Sequence, residues 1–252
     1  PNRVSTMSPL PPDFAAELTA LLGEQRFLTD PDSCQQYGRD WTRFAEPAPG
    51  GVALPETVDE VCAIVRAARA AGVALVPSGG RTGLSGGAVA ARGELVVALD
   101  RMNAVLEVNT VDRSIRCQAG VITETLQNIA IEHGLIYPVD FASSGSSQIG
   151  GNIATNAGGI QVIRYGMTRD WVSGLTVVTG TGERLELNKG LIKNNTGLDL
   201  RHLMIGSEGI LGIIVEATLQ LTSPPNHPPS RRVVAVPAGS PCPAGSPLRK
   251  SA

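Results

Sequence analysis

The sequence predicts an α+β fold, and the order of its strands and helices carries that reading. Residues 105–109 with 114–118, and 172–178 with 184–187, form two strand pairs, each joined by a turn short enough for a hairpin. Antiparallel pairing therefore interrupts the helix–strand units, which argues against a doubly wound parallel sheet. Two long segments carry glycine and hydroxyl groups in place of bulky apolar side chains: Pro77-Ser-Gly-Gly-Arg-Thr-Gly-Leu-Ser-Gly-Gly87 and Ser143-Ser-Gly-Ser-Ser-Gln-Ile-Gly-Gly-Asn-Ile-Ala-Thr-Asn-Ala-Gly-Gly159. Such segments bury too little to build a core, but their backbones can approach a ligand closely and offer it N–H and O–H groups. Two of them in one domain suggest a long ligand with at least one phosphate.

The elements follow in order. Phe14, Leu18 and Leu21/Leu22 recur at helical spacing, and Gly23 stops the helix that starts at Pro12. Asp30-Pro-Asp-Ser33 opens a second helix running to about Tyr37. Residues 39–51 form a Pro/Gly-containing linker with Trp41 and Phe44 either exposed or docked. Residues 52–54 are a short strand. Pro55-Glu-Thr-Val-Asp-Glu60 opens the clearest helix: Thr57 and Glu60 have capping-box spacing, Val58, Val61, Cys62, Val65 and Ala68 share one face, and Gly72 is the C-terminal stop. Residues 73–76 form a strand that delivers the chain into the first glycine-rich loop. Residues 95–99 are a buried-type strand, and Thr110 to Arg113 turns the first hairpin. Ile122 to His133 is amphipathic, with Gly134 as its stop. After the second glycine-rich segment come the second hairpin, a polar loop over 194–200, a short apolar piece over 203–205, and a last strand over 213–221. From Ser223 the composition changes: of 18 prolines, eight lie between Pro224 and Pro247. Residues 231–236 have the pattern of one more strand; the rest of 223–252 is expected to be disordered, because it buries too little to offset the entropy of ordering. The expected division is an N-terminal helical segment and linker (1–50), a folded domain (51–222, with subdomains of about 51–120 and 121–222) and the tail.

Composition narrows the function. Hydrophobic content of 42% with 17% charged residues describes a globular chain. A net charge of −2 argues against nucleic acid or an anionic membrane as main partner. No apolar run reaches 18 residues, so no transmembrane segment is expected, and no apolar stretch before Pro12 suggests a secretory signal. The 4 cysteines are far apart, at 34, 62, 117 and 242, with no Cys/His cluster, so no metal site is expected and the thiols fit a reducing cytoplasm. His133 ends a helix, where a positive charge is favourable; His202 and His227 have no companion ligands.

The usual phosphate loops do not fit. Gly79 and Gly80 are followed by no GK[ST], and no clear helix or spaced GxGxxG fingerprint follows the first loop. Three segments taken together resemble the FAD-binding domain of the vanillyl-alcohol-oxidase/PCMH superfamily, and within it the group of D-lactate dehydrogenase, glycolate oxidase subunit and D-2-hydroxyglutarate dehydrogenase. They are the first loop; Ile149-Gly-Gly-Asn-Ile-Ala-Thr-Asn-Ala-Gly-Gly159 with Arg164-Tyr-Gly166; and Asn195-Thr-Gly-Leu-Asp-Leu200 with Ile205-Gly-Ser-Glu-Gly-Ile-Leu-Gly212. A UDP-sugar enolpyruvyl reductase shares the fold, but the last pair of motifs favours the hydroxy-acid group.

The resemblance implies a PCMH-type domain of two α/β subdomains and assigns roles. The first loop wraps the pyrophosphate of FAD through Pro77, Ser78, Gly79, Gly80, Thr82, Gly83, Leu84 and Gly86, with Arg81 offsetting phosphate charge. Gly145, Ser146, Ile149, Gly150, Gly151, Asn152, Thr155, Asn156 and Gly158 lie along the cofactor, which Pro138 and Asp140 approach from before and Tyr165 and Gly166 from after. Tyr165 has simple packing as its alternative role. Glu208, Gly209 and Ile214 close on the adenine side. Covalent attachment in the superfamily often uses a His in the first loop; none lies between Pro77 and Gly87, so noncovalent FAD is expected. The implied reaction is hydride transfer from a small-molecule D-2-hydroxy acid, with electrons passing to an acceptor. The substrate domain of full-length relatives, which supplies the catalytic base, is expected to be absent here, so no catalytic residue is named. The alternative is a noncatalytic FAD-binding module that needs a partner subunit or forms a homo-oligomer.

Overall fold

A computed structural model describes residues 9–42 and 45–225. Phe44, His227, Cys242, the strand expected at 231–236 and the tail beyond 225 lie outside the described residues.

The strongest local signals build the first layer. Helix α1 (Pro12–Leu22) buries Phe14, Leu18 and Leu22. It packs with α3 (Val58–Ala71), which buries Val58, Val61, Cys62, Ile64, Val65, Ala67 and Ala68. The capping box of α3 is formed: Thr57 Oγ1 accepts from the Glu60 N–H, and the Glu60 carboxylate accepts from the Thr57 N–H. Burial raises the Glu60 pKa, but the Glu56 N–H, the Arg26 guanidinium 2.8 Å away and the Thr57 N–H outweigh it and hold the pKa below the ordinary value. Gly72 ends α3 at φ 67°, the left-handed region that glycine enters without strain. Strand β1 (Phe27–Leu28) and helix α2 (Pro31–Tyr37), capped by Asp30 accepting from the Ser33 N–H, lie between. Strands β2 (Gly51–Ala53), β3 (Leu75–Ser78) and β4 (Leu95–Ala98) complete a sheet ordered β1-β2-β4-β3, with β4 parallel to both β2 and β3.

The second sheet is antiparallel throughout. Its order is β5-β6-β9-β7-β8, from β5 (Val105–Asn109), β6 (Ser114–Gln118), β7 (Val172–Val178), β8 (Arg184–Leu187) and β9 (Ile213–Gln220). The first hairpin belongs to this sheet, so the strands of the two sheets divide between residues 98 and 105. Helix α4 (Thr123–Glu132) buries Leu126 and Ala130 against it. Val178, Ile213 and Val215 of the second sheet join the core of α1, α3 and β4, which ties the two layers together.

The hairpins and α1 fall where periodicity puts them. Three short helices do not: α5 (Ile149–Ala154), α6 (Val162–Tyr165) and α7 (Arg201–Met204). Glycine at 150 and 151 argues against a helix locally. Tertiary contacts override it, because Gly150 donates to the Ala119 carbonyl, and a Cβ there would stand 2.6 Å from that of Ala119.

Cys34, Cys62 and Cys117 are buried free thiols. Burial pushes the Cys117 pKa up to about 12. A thiol reagent at pH 8 is therefore expected to label none of the three in the native protein and all of them in denaturant; rapid native labelling of Cys117 would contradict the packing of the second core.

Candidate functional site

Two of the parallel strands end at one place. Ser78 closes β3, Leu99 follows β4, and a cavity of about 460 Å³ opens beside them, within the usual size range of small-molecule sites. The first glycine-rich loop forms one wall, α5 and the residues after it the opposite wall, and Glu208 to Ile214 the third.

The loop presents backbone. Among the described residues nothing accepts from the N–H groups of Gly80 through Ser85. The loop is fastened at its ends instead. Gly86 N–H donates to Asp40 Oδ2 at 2.9 Å, Trp41 N–H donates to the Gly83 carbonyl, and Ala90 N–H to that of Gly38. Arg81 sits at φ 57°, a region costly for a side chain of its size. Its guanidinium is committed to Asp100, at 2.8 and 3.0 Å, and to the Gly79 carbonyl at 2.9 Å, and it lies 4.7 Å from the centre of the Tyr37 ring.

Gly80 touches the opposite wall. A Cβ there would meet the Ser146 carbonyl oxygen well inside contact distance and Ser147 Cα at 2.9 Å. That wall is held by a buried network in which Asn152 Nδ2 donates to Thr123 Oγ1 at 2.7 Å and Thr123 Oγ1 lies 2.8 Å from Ser147 Oγ. Gly151 faces open space, with nothing within 4 Å of an added Cβ.

Two buried polar side-chain atoms have no hydrogen-bond partner among the described residues, Ser78 Oγ and Gln148 Oε1; both residues line this cavity, at 1% and 4% exposure. Orphaned buried polar atoms in a cleft call for a ligand that supplies donors and acceptors. The ionisable lining residues are Asp40, Arg81 and Glu208. With Arg81 paired to Asp100, none of the described lining residues offers an unpaired cation, and an anionic ligand must rest on backbone N–H groups. The donor set, the glycine walls and the orphaned polar atoms fit a dinucleotide with a diphosphate.

The structure gathers Pro77 to Leu84, Gly150, Gly151, Asn152, Thr155, Gly158, Glu208, Gly209 and Ile214 around this cavity. The remaining predicted site residues stand off it. Gly86, at φ 80°, anchors the loop to Asp40. Gly145 and Ser146 lie behind Gly80. Ile149 is fully buried in the second core. Asn156 accepts from the Arg169 N–H through Oδ1. Pro138 is buried, and the Asp140 carbonyl accepts from Ile160. Tyr165 packs edge-on to Trp171 at 6.4 Å and takes its indole N–H on the backbone carbonyl, and Gly166 ends α6. Asp40, Phe141, Ser143 and Gln148 line the cavity without having been expected there. Gln148 carried a legible signal, a polar residue inside the glycine-rich segment. Asp40 carried none, because only the tertiary fold brings the linker to the loop.

Comparison with known proteins agrees with this geometry. The family model described as "FAD binding domain" matches residues 49–188. A protein of Xanthomonas citri pv. viticola named D-2-hydroxyglutarate dehydrogenase is 64% identical over 205 residues, which are 81% of this chain and 43% of that protein. One of the same name from Stutzerimonas stutzeri is 60% identical over 216 residues, 86% of this chain and 47% of that protein. A mitochondrial D-2-hydroxyglutarate dehydrogenase of Bos taurus is 40% identical over 194 residues. The chain thus spans less than half the length of these relatives. Among solved structures, an alkyldihydroxyacetonephosphate synthase superposes with a TM-score of 0.77 at 26% identity, covering 90% of this chain and 46% of its own. The match over 49–188, which contains the first glycine-rich loop and α5, makes this chain a member of the FAD binding domain family, and its cofactor is FAD.

Proposed function

We propose that the chain is the FAD-binding part of an oxidoreductase acting on a D-2-hydroxy acid, with D-2-hydroxyglutarate as the first candidate substrate and D-lactate and glycolate behind it. The observation that carries the reading is the cleft: a glycine-rich loop whose Gly80 to Ser85 N–H groups have no acceptor among the described residues, with the orphaned side-chain atoms of Ser78 and Gln148 in the same lining. The names of relatives 60–64% identical supply the substrate class.

FAD, when bound, supplies the two-electron acceptor for hydride from the hydroxyl-bearing carbon. The N–H groups of Gly80 to Ser85 would hold the diphosphate, Ser78 Oγ and Gln148 Oε1 would orient hydrogen-bonding groups of the cofactor, and Leu99, Ile213 and Ile214 would exclude water from the inner wall. None of the described lining residues is a His, Cys or Tyr, the usual attachment nucleophiles, and this supports noncovalent binding. We place the chain in the cytoplasm with its thiols reduced. Among the described residues no helix is long and apolar enough to cross a membrane.

A second reading, a module that binds FAD but needs a partner subunit or a second copy for turnover, is favoured by one observation. Oxidation of the alcohol requires a base for the hydroxyl proton, and the described cleft holds no His or Lys for it, only the carboxylates of Glu208 and of Asp40, the latter already accepting from Thr42 and Gly86. Leu84 and Ile210, exposed in segments that form the walls, offer a partner apolar area.

One experiment separates these readings. The purified chain is reconstituted with FAD, heated to test for flavin release, and mixed anaerobically with D-2-hydroxyglutarate, its L enantiomer, D-lactate or glycolate. Loss of oxidised-flavin absorbance with D-2-hydroxyglutarate alone is the expected result. Faster bleaching by D-lactate or glycolate reassigns the substrate. Bound flavin that no hydroxy acid reduces establishes the module, and flavin that stays with denatured protein overturns noncovalent attachment.

A further inference from the structure

Arg81 presents a puzzle of cost. Its φ of 57° is one that glycine adopts freely and arginine does not, and it stands among glycines. If the loop needed only the turn, glycine would serve better there. A side chain kept under strain points to a function of the side chain.

A counter-charge for phosphate is the obvious function for an arginine in this loop, and the contacts argue against it. Both terminal nitrogens are used within the protein: Nη2 donates to Asp100 Oδ1 at 2.8 Å, and Nη1 donates to Asp100 Oδ2 at 3.0 Å and to the Gly79 carbonyl at 2.9 Å. The flat face covers Tyr37. Asp100 neutralises the charge, and both side chains are largely buried, at 20% and 27% exposure. The partners come from three separate elements: the end of α2, the turn after β4, and the loop itself. The Gly79 carbonyl is an acceptor that would repel a phosphate if it faced one, and the guanidinium occupies it.

We propose that Arg81, Asp100 and Tyr37 form a positioning device that fixes the glycine-rich loop so that the N–H groups of Gly80 to Ser85 meet the FAD diphosphate, and that Arg81 does not serve as the charge partner of that diphosphate. The inference rests on the assignment of the cleft as the FAD site. Arg81 and Asp100 act through backbone, so they are positioning residues.

The two roles differ in the sign of one effect. Removing the Asp100 charge frees Arg81 for a phosphate; a counter-charge role then tightens FAD binding, whereas a bracing role weakens it. The test measures FAD dissociation constants at several salt concentrations, and melting of the apoprotein, for Arg81→Lys, Asp100→Asn and the double variant. Lysine keeps the charge but loses the two-pronged geometry and the stacking. Each single change is expected to weaken FAD about ten- to hundredfold. The double variant should be no weaker than the poorer single one, because both break the same device, and the salt dependence should stay that of the unaltered chain.

Tighter binding by Asp100→Asn, or unaltered affinity with Arg81→Lys, overturns the proposal. So does lowered apoprotein melting with an unchanged FAD dissociation constant, which would make the pair a plain stabiliser. If Asp100→Asn does not fold, Arg81→Lys decides through its affinity and salt dependence. Failure of the unaltered chain to bind FAD, or normal FAD binding by Gly151→Leu, would instead remove the assignment of the cleft.

Discussion

Gly151→Leu is expected to abolish FAD binding and leave the fold standing. Several glycines of the two walls, such as Gly80, Gly150 and Gly159, leave no room for a side chain. At Gly151 an added Cβ meets nothing within 4 Å, and the residue lines the cavity from within α5. A leucine there extends into the space the cofactor needs. Leucine also favours a helix over glycine by roughly 0.5–1 kcal/mol, so the apoprotein should melt at the same temperature or slightly higher. Titration with FAD should show at least about a hundredfold loss of affinity, equivalent to about 2.7 kcal/mol. A variant that melts normally and binds FAD normally would mean that the cofactor sits elsewhere.

Gly80→Ala should have the opposite character, damaging fold and site together. The added methyl points at the Ser146 carbonyl and at Ser147 Cα 2.9 Å away, both backbone atoms that cannot rotate aside. Relief requires the two glycine-rich walls to separate. Overpacking of this kind costs about 1–3 kcal/mol, which in a domain of this size lowers the melting temperature by roughly 2–4 °C per kcal/mol. The cradle loses its spacing at the same time, so FAD affinity should fall even at temperatures where the variant is folded. Circular dichroism melting and an FAD titration on one preparation check both effects. Unchanged affinity beside a lowered melting temperature would show that the contact supports the fold alone.

How much of this was legible in the sequence depended on how local each cause was. The α3 helix announced itself through Thr57, Glu60 and Gly72, because a cap is decided within one turn of chain. Both hairpins were legible because alternation and a tight turn are also local. The cavity walls at 77–84 and 150–158 were legible because glycine in quantity has few other physical uses. What escaped was set by contacts distant in sequence. Helix α5 forms against glycine propensity because Ala119 receives it. Asp40 lies 46 residues before the loop N–H it anchors. The expectation for Arg81 was a charge role, and nothing in the sequence signals that Asp100 and Tyr37 converge on it. Tyr165 shows the converse: a motif residue whose neighbour Trp171 holds it in packing outside the cleft.

The place of β9 bears on how the protein is made. Among the described residues it is the last strand of both sheets to leave the ribosome, yet it sits at the centre of its sheet, between β6 and β7, and it carries Ile214 into the cleft. Until residues 213–220 have been synthesised, the hairpins of β5–β6 and β7–β8 have no common partner. Each then presents an unpaired inner edge, and the core of the first layer still lacks Ile213 and Val215. Synthesis thus creates an interval in which half of the domain waits with open strand edges. Nascent chains arrested before Ile213 should be the species that chaperones hold and that FAD cannot rescue, and cofactor capture becomes possible only after the closing strand has been laid between the other two.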